Sequence, residues 1–128
     1  MRCLLDTYTF LWAVNDSPQL SDTARSLIEH NADDLFLSVA SLWEIAIKLS
    51  LGKLRIKLPF RELATQKTAQ HGVNLLDITP RHLEGVTTLP FHHRDPFDRL
   101  IVAQCLAEGL TLLSRDSVLD SYSIERRW

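Results

Sequence analysis

Hydrophobic positions along the chain form short continuous runs that alternate with longer stretches of mixed polar and apolar residues. Apolar runs of roughly 4 to 8 residues are typical of strands buried on both faces of a sheet, whereas amphipathic stretches are typical of helices. On this basis we predict strands at Arg2–Leu5, Leu35–Ser38, Val73–Ile78 and Leu110–Leu113, with Ser121–Ile124 as a candidate edge strand.

The stretches between these runs predict helices, because several begin with a capping residue and end at a glycine or proline. The predicted helices follow Asp6, run from Ser21 or Asp22 to about His30, run from a cap at Ser38 or Ser41 to about Leu51, and cover about 61–71, 80–86 and 96–108. We expect a turn at 31–34. We expect an exposed strand or an extended loop at 53–60, where KLRIKLPF alternates basic with apolar residues.

Strands that alternate with helices predict an α/β sandwich with a mostly parallel sheet, in one domain over residues 1–128. In such sheets, ligands bind outside the carboxyl ends of the strands. Residues that directly follow strands are therefore the first to examine for function.

The segment HHRDPFDRLIVA, residues 92–103, contains a clear helix start. Asp95 is a suitable N-cap, and Pro96 is tolerated as the first helical residue. Asp98 falls in the first turn, and because helical side chains lean toward the N-terminus, we expect its carboxylate to hang over the helix mouth. A structural interpretation is also open, in which Asp95 caps the helix and Asp98 favours the positive end of its dipole.

Other acidic residues share this relation to the predicted sheet. Asp6 and Asp116 directly follow strands, and Glu44 lies among apolar neighbours in the helix after the second strand. Structural alternatives exist for each: a helix N-cap, an Asx-type turn, and a surface ion pair between Glu44 and Lys48. Clustered carboxylates repel one another unless a cation neutralises them. We therefore predict that these acids and Asp98 form a cation site.

An all-oxygen ligand set suits a hard cation such as Mg²⁺ or Mn²⁺ better than zinc. Such a cation activates water and stabilises the charge that develops on a phosphodiester during in-line attack. The predicted chemistry is therefore that of a nuclease.

The net charge of -2 and the pI near 6.2 mean that contact with a nucleic acid depends on a local basic patch. Basic residues with this potential are Lys48, Lys53, Arg55, Lys57 and Arg61, together with Arg94, Arg99 and Arg115 near the acids. They predict a track for a phosphate backbone. The alternative for 53–61 is a solvated edge that prevents sheet aggregation.

The remaining composition limits the class of protein. The apolar runs are shorter than the roughly 20 residues that span a bilayer, and no signal peptide follows Met1, so we expect a soluble cytoplasmic protein. Cys3 and Cys105 lie inside apolar runs without metal-ligand spacing. We therefore expect both to be reduced core residues.

Four segments, taken in their order and spacing, resemble PIN-domain ribonuclease toxins of the VapC type over essentially the whole chain. They are LLDTYTFLW, SVASLWEIAIKLSLGKL, FHHRDPFDRLIVAQ and LTLLSRD. The resemblance implies a parallel α/β/α sandwich, a homodimer and a small VapB-type antitoxin that silences the toxin. It places the family's acids on Asp6, Glu44, Asp98 and Asp116, and implies Mg²⁺ ligation first by Asp6 and Asp98, with Glu44, Asp116 and Asp95 as further candidates. One departure is Tyr8, where relatives often have His, which we expect to affect substrate contacts.

Two other functions stay open at this point. A non-cleaving PIN-like module would bind RNA or a protein partner, although four convergent carboxylates beside phosphates disfavour this. An Asp-based phosphatase of the haloacid dehalogenase type requires a second Asp two residues after the first, and position 8 is Tyr. A receiver domain requires an acidic pair near the first strand, and Asp6 alone is suitably placed. The sequence assigns no role to His92 or His93.

Overall fold

The computed structural model describes residues 1–31 and 34–128. Among these residues, five strands form one sheet: β1 Arg2–Leu5, β2 Asp34–Ser38, β3 Val73–Leu76, β4 Thr111–Leu113 and β5 Arg126–Arg127. The strand order is β3-β2-β1-β4-β5, and every neighbouring pair is parallel. The predicted α/β class is therefore confirmed.

Helices connect the strands. They are α1 Thr7–Val14, α2 Asp22–Ser26, α3 Val39–Ser50, α4 Phe60–Glu62, α5 Thr68–Gln70, α6 Pro80–Thr88 and α7 Pro96–Glu108. A π-helical turn at Leu27–Asn31 extends α2, another at Leu63–Lys67 joins α4 to α5, and a 3₁₀ turn occupies Ser117–Ser121. Within the described ranges, no helix is both long and apolar enough to cross a membrane.

Apolar residues pack on both faces of the sheet, since successive side chains of a strand point to opposite faces. In β1, Cys3 and Leu5 belong to one core layer and Leu4 belongs to the other, and all three are fully buried. Cys105 is in the second layer, and both cysteines are buried thiols outside any disulfide. The prediction of reduced core cysteines is therefore confirmed.

The predicted edge strand at Ser121–Ile124 is wrong. Its first residue ends the 3₁₀ turn, and the last strand forms only at Arg126–Arg127. The reason is Tyr122, which is buried and whose hydroxyl donates to the Pro90 carbonyl at 2.9 Å and accepts from the His93 N–H at 3.0 Å. This side chain fastens the segment to the loop before α7, so the chain reaches the sheet only afterwards.

Residues 53–59, all described, contribute no strand, so the extended loop is the correct alternative and the edge-strand function does not apply. The predicted turn at 31–34 includes residues 32 and 33, which lie outside the described residues. Ser38 caps α3 by accepting from the Ala40 N–H at 3.0 Å, whereas the hydroxyl of Ser41, the other predicted cap, is buried and has no hydrogen-bond partner among the described residues.

The carboxyl ends of β1 and β4 are tied together. The Asp6 N–H donates to the Leu113 carbonyl at 3.1 Å, and the Thr9 hydroxyl donates to the same oxygen at 3.0 Å. Parallel pairing therefore continues into the first residue of the turn after β1. This brings the acids that follow the two strands to one edge of the sheet.

Candidate active site

Asp6 lies between β1 and α1 and caps the helix, because its Oδ1 accepts from the Thr9 N–H at 2.8 Å. Burial raises the pKa of Asp6 above its usual value, while hydrogen bonds from Ser114 and Thr9 act to lower it. The capping role proposed as a structural alternative is thus present. In this position the charged form of the Asp6 carboxylate is poorly solvated, so a nearby cation would stabilise it.

Asp95 caps α7, because its Oδ1 accepts from the N–H groups of Phe97 at 2.8 Å and Asp98 at 3.4 Å. Asp98 lies in the first turn of α7. Its pKa is raised to about 7, first by burial and then by the charge of Asp95. Asp6 and Glu44 raise it further, and His93 acts against them. Asp98 therefore lies in the field of the other acids, as its predicted orientation requires.

His93 joins Asp98 to the acid that follows β4. Its Nε2 lies 3.0 Å from Oδ2 of Asp116 and 3.3 Å from Oδ2 of Asp98. The second oxygen of Asp116 accepts from the Val118 N–H at 3.1 Å and caps the 3₁₀ turn. Asp116 therefore serves both the turn and the site, with one oxygen for each.

The sequence reasoning missed His93. The sequence offers one signal for His93, which stands two residues before Asp95, the cap of a helix that carries an acid. His92 stands next to His93 and offers nearly the same signal. His92 is exposed and packs edge-on against Tyr122, with ring centroids 5.0 Å apart. The choice between adjacent histidines depends on how Tyr122 holds the loop, which is a tertiary contact.

Glu44 is 5% exposed and forms two hydrogen bonds inside the site. Its Oε1 accepts from the Thr7 hydroxyl at 2.6 Å, and its Oε2 pairs with Lys48 Nζ at 2.8 Å. Lys48 also donates to the Tyr8 hydroxyl at 3.0 Å. Burial lowers the pKa of Lys48, but the contacts with Glu44 and Tyr8 outweigh it and raise that pKa overall. The ion pair proposed as an alternative exists, but it is partly buried in the cleft, with Glu44 buried and Lys48 partly exposed.

These side chains share one cleft of about 230 Å³ at the carboxyl edge of the sheet. Its walls are Asp6, Thr7, Tyr8, Glu44, Lys48, Asp95, Asp98 and Asp116. The four predicted acids are thus together, with Asp95 beside them, although they are distant in sequence.

A divalent cation fits this donor set. A carboxylate oxygen of Asp98 and one of Asp116 lie within 4.8 Å of each other and of a ring nitrogen of His93, and Asp6 lines the cleft with both aspartates. Carboxylate oxygens are the ligands that Mg²⁺ and Mn²⁺ prefer. Burial and neighbouring acids raise the pKa values of Asp6 and Asp98, because both disfavour the charged carboxylates. A bound cation would offset both effects.

The basic residues occupy different positions. Lys53, Arg55 and Lys57 are exposed, and the last two line a hollow with the residues that follow α1. Because α1 has 8 residues, its far end is about 12 Å from the Asp6 cap. Lys48 is engaged inside the cleft, whereas Arg61, Arg94 and Arg115 are exposed.

The predicted RNA contact of Arg99 is corrected by its surroundings. Arg99 is 5% exposed, and its guanidinium donates to the carbonyls of Pro90 at 2.9 Å and Leu89 at 3.1 Å. A further bond reaches Val86 at 3.4 Å, and the group lies 3.8 Å from the Phe91 ring centroid. Arg99 therefore fastens the end of α6 to α7 and does not present its charge to a phosphate.

Comparisons with known proteins identify the family and the fold. Residues 3–125 match the family described as PIN domain. The chain is 32% identical to Ribonuclease VapC22 of Mycobacterium tuberculosis (strain ATCC 25618 / H37Rv) over 120 aligned residues. The alignment covers 93% of this chain and 90% of that protein.

Solved structures show the same fold. A chain of VapBC2 from Rickettsia felis bound to a promoter DNA fragment superposes with a TM-score of 0.72 and 16% identity, over 99% of this chain and 98% of that one. A chain of FitAcB from Neisseria gonorrhoeae gives a TM-score of 0.68 and 16% identity, over 97% and 95% of the two chains. With the family match nearly complete and the curated relative a VapC protein, the chain belongs to the PIN-domain family, in its VapC group.

Proposed function

We propose that this chain is a metal-dependent endoribonuclease and the toxin component of a type II toxin–antitoxin pair. The observation that carries the proposal is the convergence of Asp6, Glu44, Asp98 and Asp116 in one cleft at the carboxyl edge of the sheet. The name of the curated relative, a ribonuclease, supports the activity.

Asp98, Asp116 and Asp6 would hold the cation, Mg²⁺ or Mn²⁺. When bound, it supplies a Lewis acid for the phosphate and lowers the pKa of a coordinated water. The chain itself prepares the acids. Asp6 is fixed by its bonds to α1, and Asp116 is fixed by the 3₁₀ turn, so each retains its orientation when substrate enters.

Glu44 has a different task from the three aspartates. Thr7 and Lys48 each occupy one of its oxygens, so its carboxylate is held in a single orientation at the wall of the cleft. A fixed carboxylate in this position orients the water that attacks the phosphate and accepts its hydrogen bond. Lys48 partly neutralises Glu44, which reduces the repulsion between the cleft and a phosphate backbone.

The expected partners are RNA and a VapB-type antitoxin. Support for the antitoxin comes from the solved structures with the same fold, which include VapBC2, FitAcB and a toxin–antitoxin complex from Klebsiella pneumoniae. We propose further that the chain forms a homodimer, as the family resemblance implies.

The decisive experiment is cleavage of RNA by the purified chain. Excess EDTA is expected to abolish cleavage and added Mg²⁺ to restore it, while Asp6→Asn, prepared identically, excludes a contaminating nuclease. Undiminished cleavage in EDTA would refute the metal dependence. RNA binding without any cleavage, in Mg²⁺ or Mn²⁺, would instead identify a non-cleaving binding module.

A further inference from the structure

A second cleft of about 350 Å³ opens beside the acidic one. It is lined by Asp6, Tyr8, Trp12, Arg115 and Asp116. Asp6, Tyr8 and Asp116 line both clefts. A strand whose phosphate lies over the acids therefore has this second cleft available for a neighbouring nucleotide.

Aromatic rings form the apolar part of this second cleft. The ring centroids of Tyr8 and Trp12 are 6.1 Å apart, and those of Trp12 and Trp128 are 5.7 Å apart. Tyr8 is 42% exposed and Trp12 is half-buried. The core layers described within 1–31 and 34–128 include none of these three rings, so core packing does not account for them.

A cation accompanies the rings. Arg115 is exposed, its Cζ lies 6.0 Å from the Trp12 ring centroid, and it directly precedes Asp116. Aromatic faces with an arginine beside them are the usual means of holding single-stranded nucleic acid, since the rings stack on bases and the guanidinium contacts phosphate.

We propose that this cleft is a nucleobase subsite, in which the base next to the scissile phosphate stacks on Trp12 and Tyr8 while Arg115 contacts the adjoining phosphate. The inference rests on the proposed function, since it takes the acidic cleft to hold the scissile phosphate. Arg115 beside the rings offers guanidinium donors that pair with a phosphate and that an apolar peptide side chain would leave unpaired, so a nucleotide is favoured as the occupant. Every base has a π face, so the subsite recognises single-stranded RNA without strong base preference.

The test measures binding in EDTA, where cleavage does not interfere. A short single-stranded oligoribonucleotide is compared with versions in which one base at a time is removed to leave an abasic ribose. For the unaltered chain, loss of one particular base is expected to weaken binding about tenfold. In Trp12→Leu, the parent oligonucleotide is expected to bind about tenfold more weakly, and removal of that base to have little further effect.

Matched variants separate stacking from folding. Trp12→Phe keeps a ring and is expected to retain the base dependence, and Tyr8→Leu against Tyr8→Phe repeats the comparison at an exposed position. Thermal unfolding of each variant identifies any that fail to fold. If Trp12→Leu does not fold, the Tyr8 pair decides the question.

Binding that is unaffected by every base removal would overturn the subsite, and so would an equal base dependence in the unaltered chain and the leucine variants. A cleft that binds a short apolar peptide, and no oligoribonucleotide, would be a protein contact and would also overturn it. Cleavage in Mg²⁺ is measured separately. Base-dependent binding without cleavage refutes the ribonuclease proposal alone, whereas cleavage without base dependence refutes the subsite alone.

Discussion

The backbone N–H of Asp95 donates a hydrogen bond to Nδ1 of His93 at 3.0 Å. Because Nδ1 accepts, the neutral imidazole carries its proton on Nε2, the atom that faces Asp98 and Asp116. A metal-ligating histidine usually donates its other ring N–H to an acceptor, which is the opposite arrangement. His93 is therefore arranged to donate a hydrogen bond to the two acids, and the residue that caps α7 also sets the tautomer of its neighbour.

The first prediction concerns this donor. His93→Ala is expected to lower RNA cleavage about 10- to 100-fold, because Asp98 and Asp116 lose the group that orients them. His93→Gln has an amide donor that reaches the same acids, so it is expected to recover part of the activity. The measurement is kcat and KM at saturating Mg²⁺, with the loss expected in kcat. Full activity in the alanine variant would show that His93 has only a structural role.

The second prediction concerns Asp95. Asp95→Ala removes the cap of α7 and is expected to lower the free energy of unfolding by about 1 kcal/mol. The backbone N–H that binds His93 is unaffected, so Mg²⁺ affinity measured by calorimetry is expected to remain near that of the unaltered chain. Loss of Mg²⁺ binding in this variant would mean that Asp95 is a ligand itself.

The third prediction concerns Asp98 and pH. Its pKa in the folded chain is about 7 against an ordinary value of 3.8, so between these values the folded state binds more protons than the unfolded state. The free energy of unfolding of the metal-free protein is therefore expected to fall as pH rises through this interval. Asp98→Asn is expected to abolish cleavage and to flatten this fall. Urea unfolding in EDTA across the interval measures it, and an unchanged slope in the variant would contradict the assignment.

The fourth prediction concerns the corrected role of Arg99. Arg99→Ala removes a buried guanidinium and takes from the buried Leu89 carbonyl the donor that Arg99 supplies, so it is expected to lower the free energy of unfolding by about 2 kcal/mol. Arg94→Ala, an exposed arginine in the preceding loop, is the matched control and is expected to change it by less than about 0.5 kcal/mol. Urea denaturation of both variants tests this, and equal stabilities would restore Arg99 as a surface residue.

The fifth prediction concerns the basic loop. Changing Lys53, Arg55 and Lys57 together to Glu is expected to weaken RNA binding and to reduce the dependence of binding on salt, because fewer counterions are released. The measurement uses Asp98→Asn as background so that RNA is not cut. Unchanged affinity and salt dependence would mean that the loop, which shares a hollow with the residues after α1, lies outside the RNA path.

Local signals in the sequence were sufficient for most of the fold. β1 and α7 have the predicted bounds, since each begins or ends at a residue with a distinct local role, such as Asp95 before Pro96. Asp6 and Asp116 were identifiable because parallel strands end at the same edge, so a position directly after a strand has a known place in space. Asp98 was identifiable from its place in the first turn of α7, and Glu44 from its apolar neighbours in α3.

What the sequence did not reveal depends on tertiary contacts. Arginine is a residue type usually found on the solvated face of a helix. Arg99 is buried because carbonyls at the end of α6 lie within reach of its guanidinium. The late start of β5 and the selection of His93 over His92 both depend on Tyr122. These are contacts between segments far apart in the chain, on which hydrophobic periodicity carries no information.

The Tyr122 hydroxyl bonds to both Pro90 and His93, so it joins the segment between β4 and β5 to the loop before α7. Hydrogen exchange at the His93 amide accordingly requires separation of two chain segments that are 29 residues apart, and not simply the fluctuation of one loop. Opening the hydrogen bond at His93, the residue that contacts the acids, therefore costs the free energy of separating two packed segments. An otherwise irregular loop is therefore expected to hold the proposed catalytic geometry between encounters with substrate.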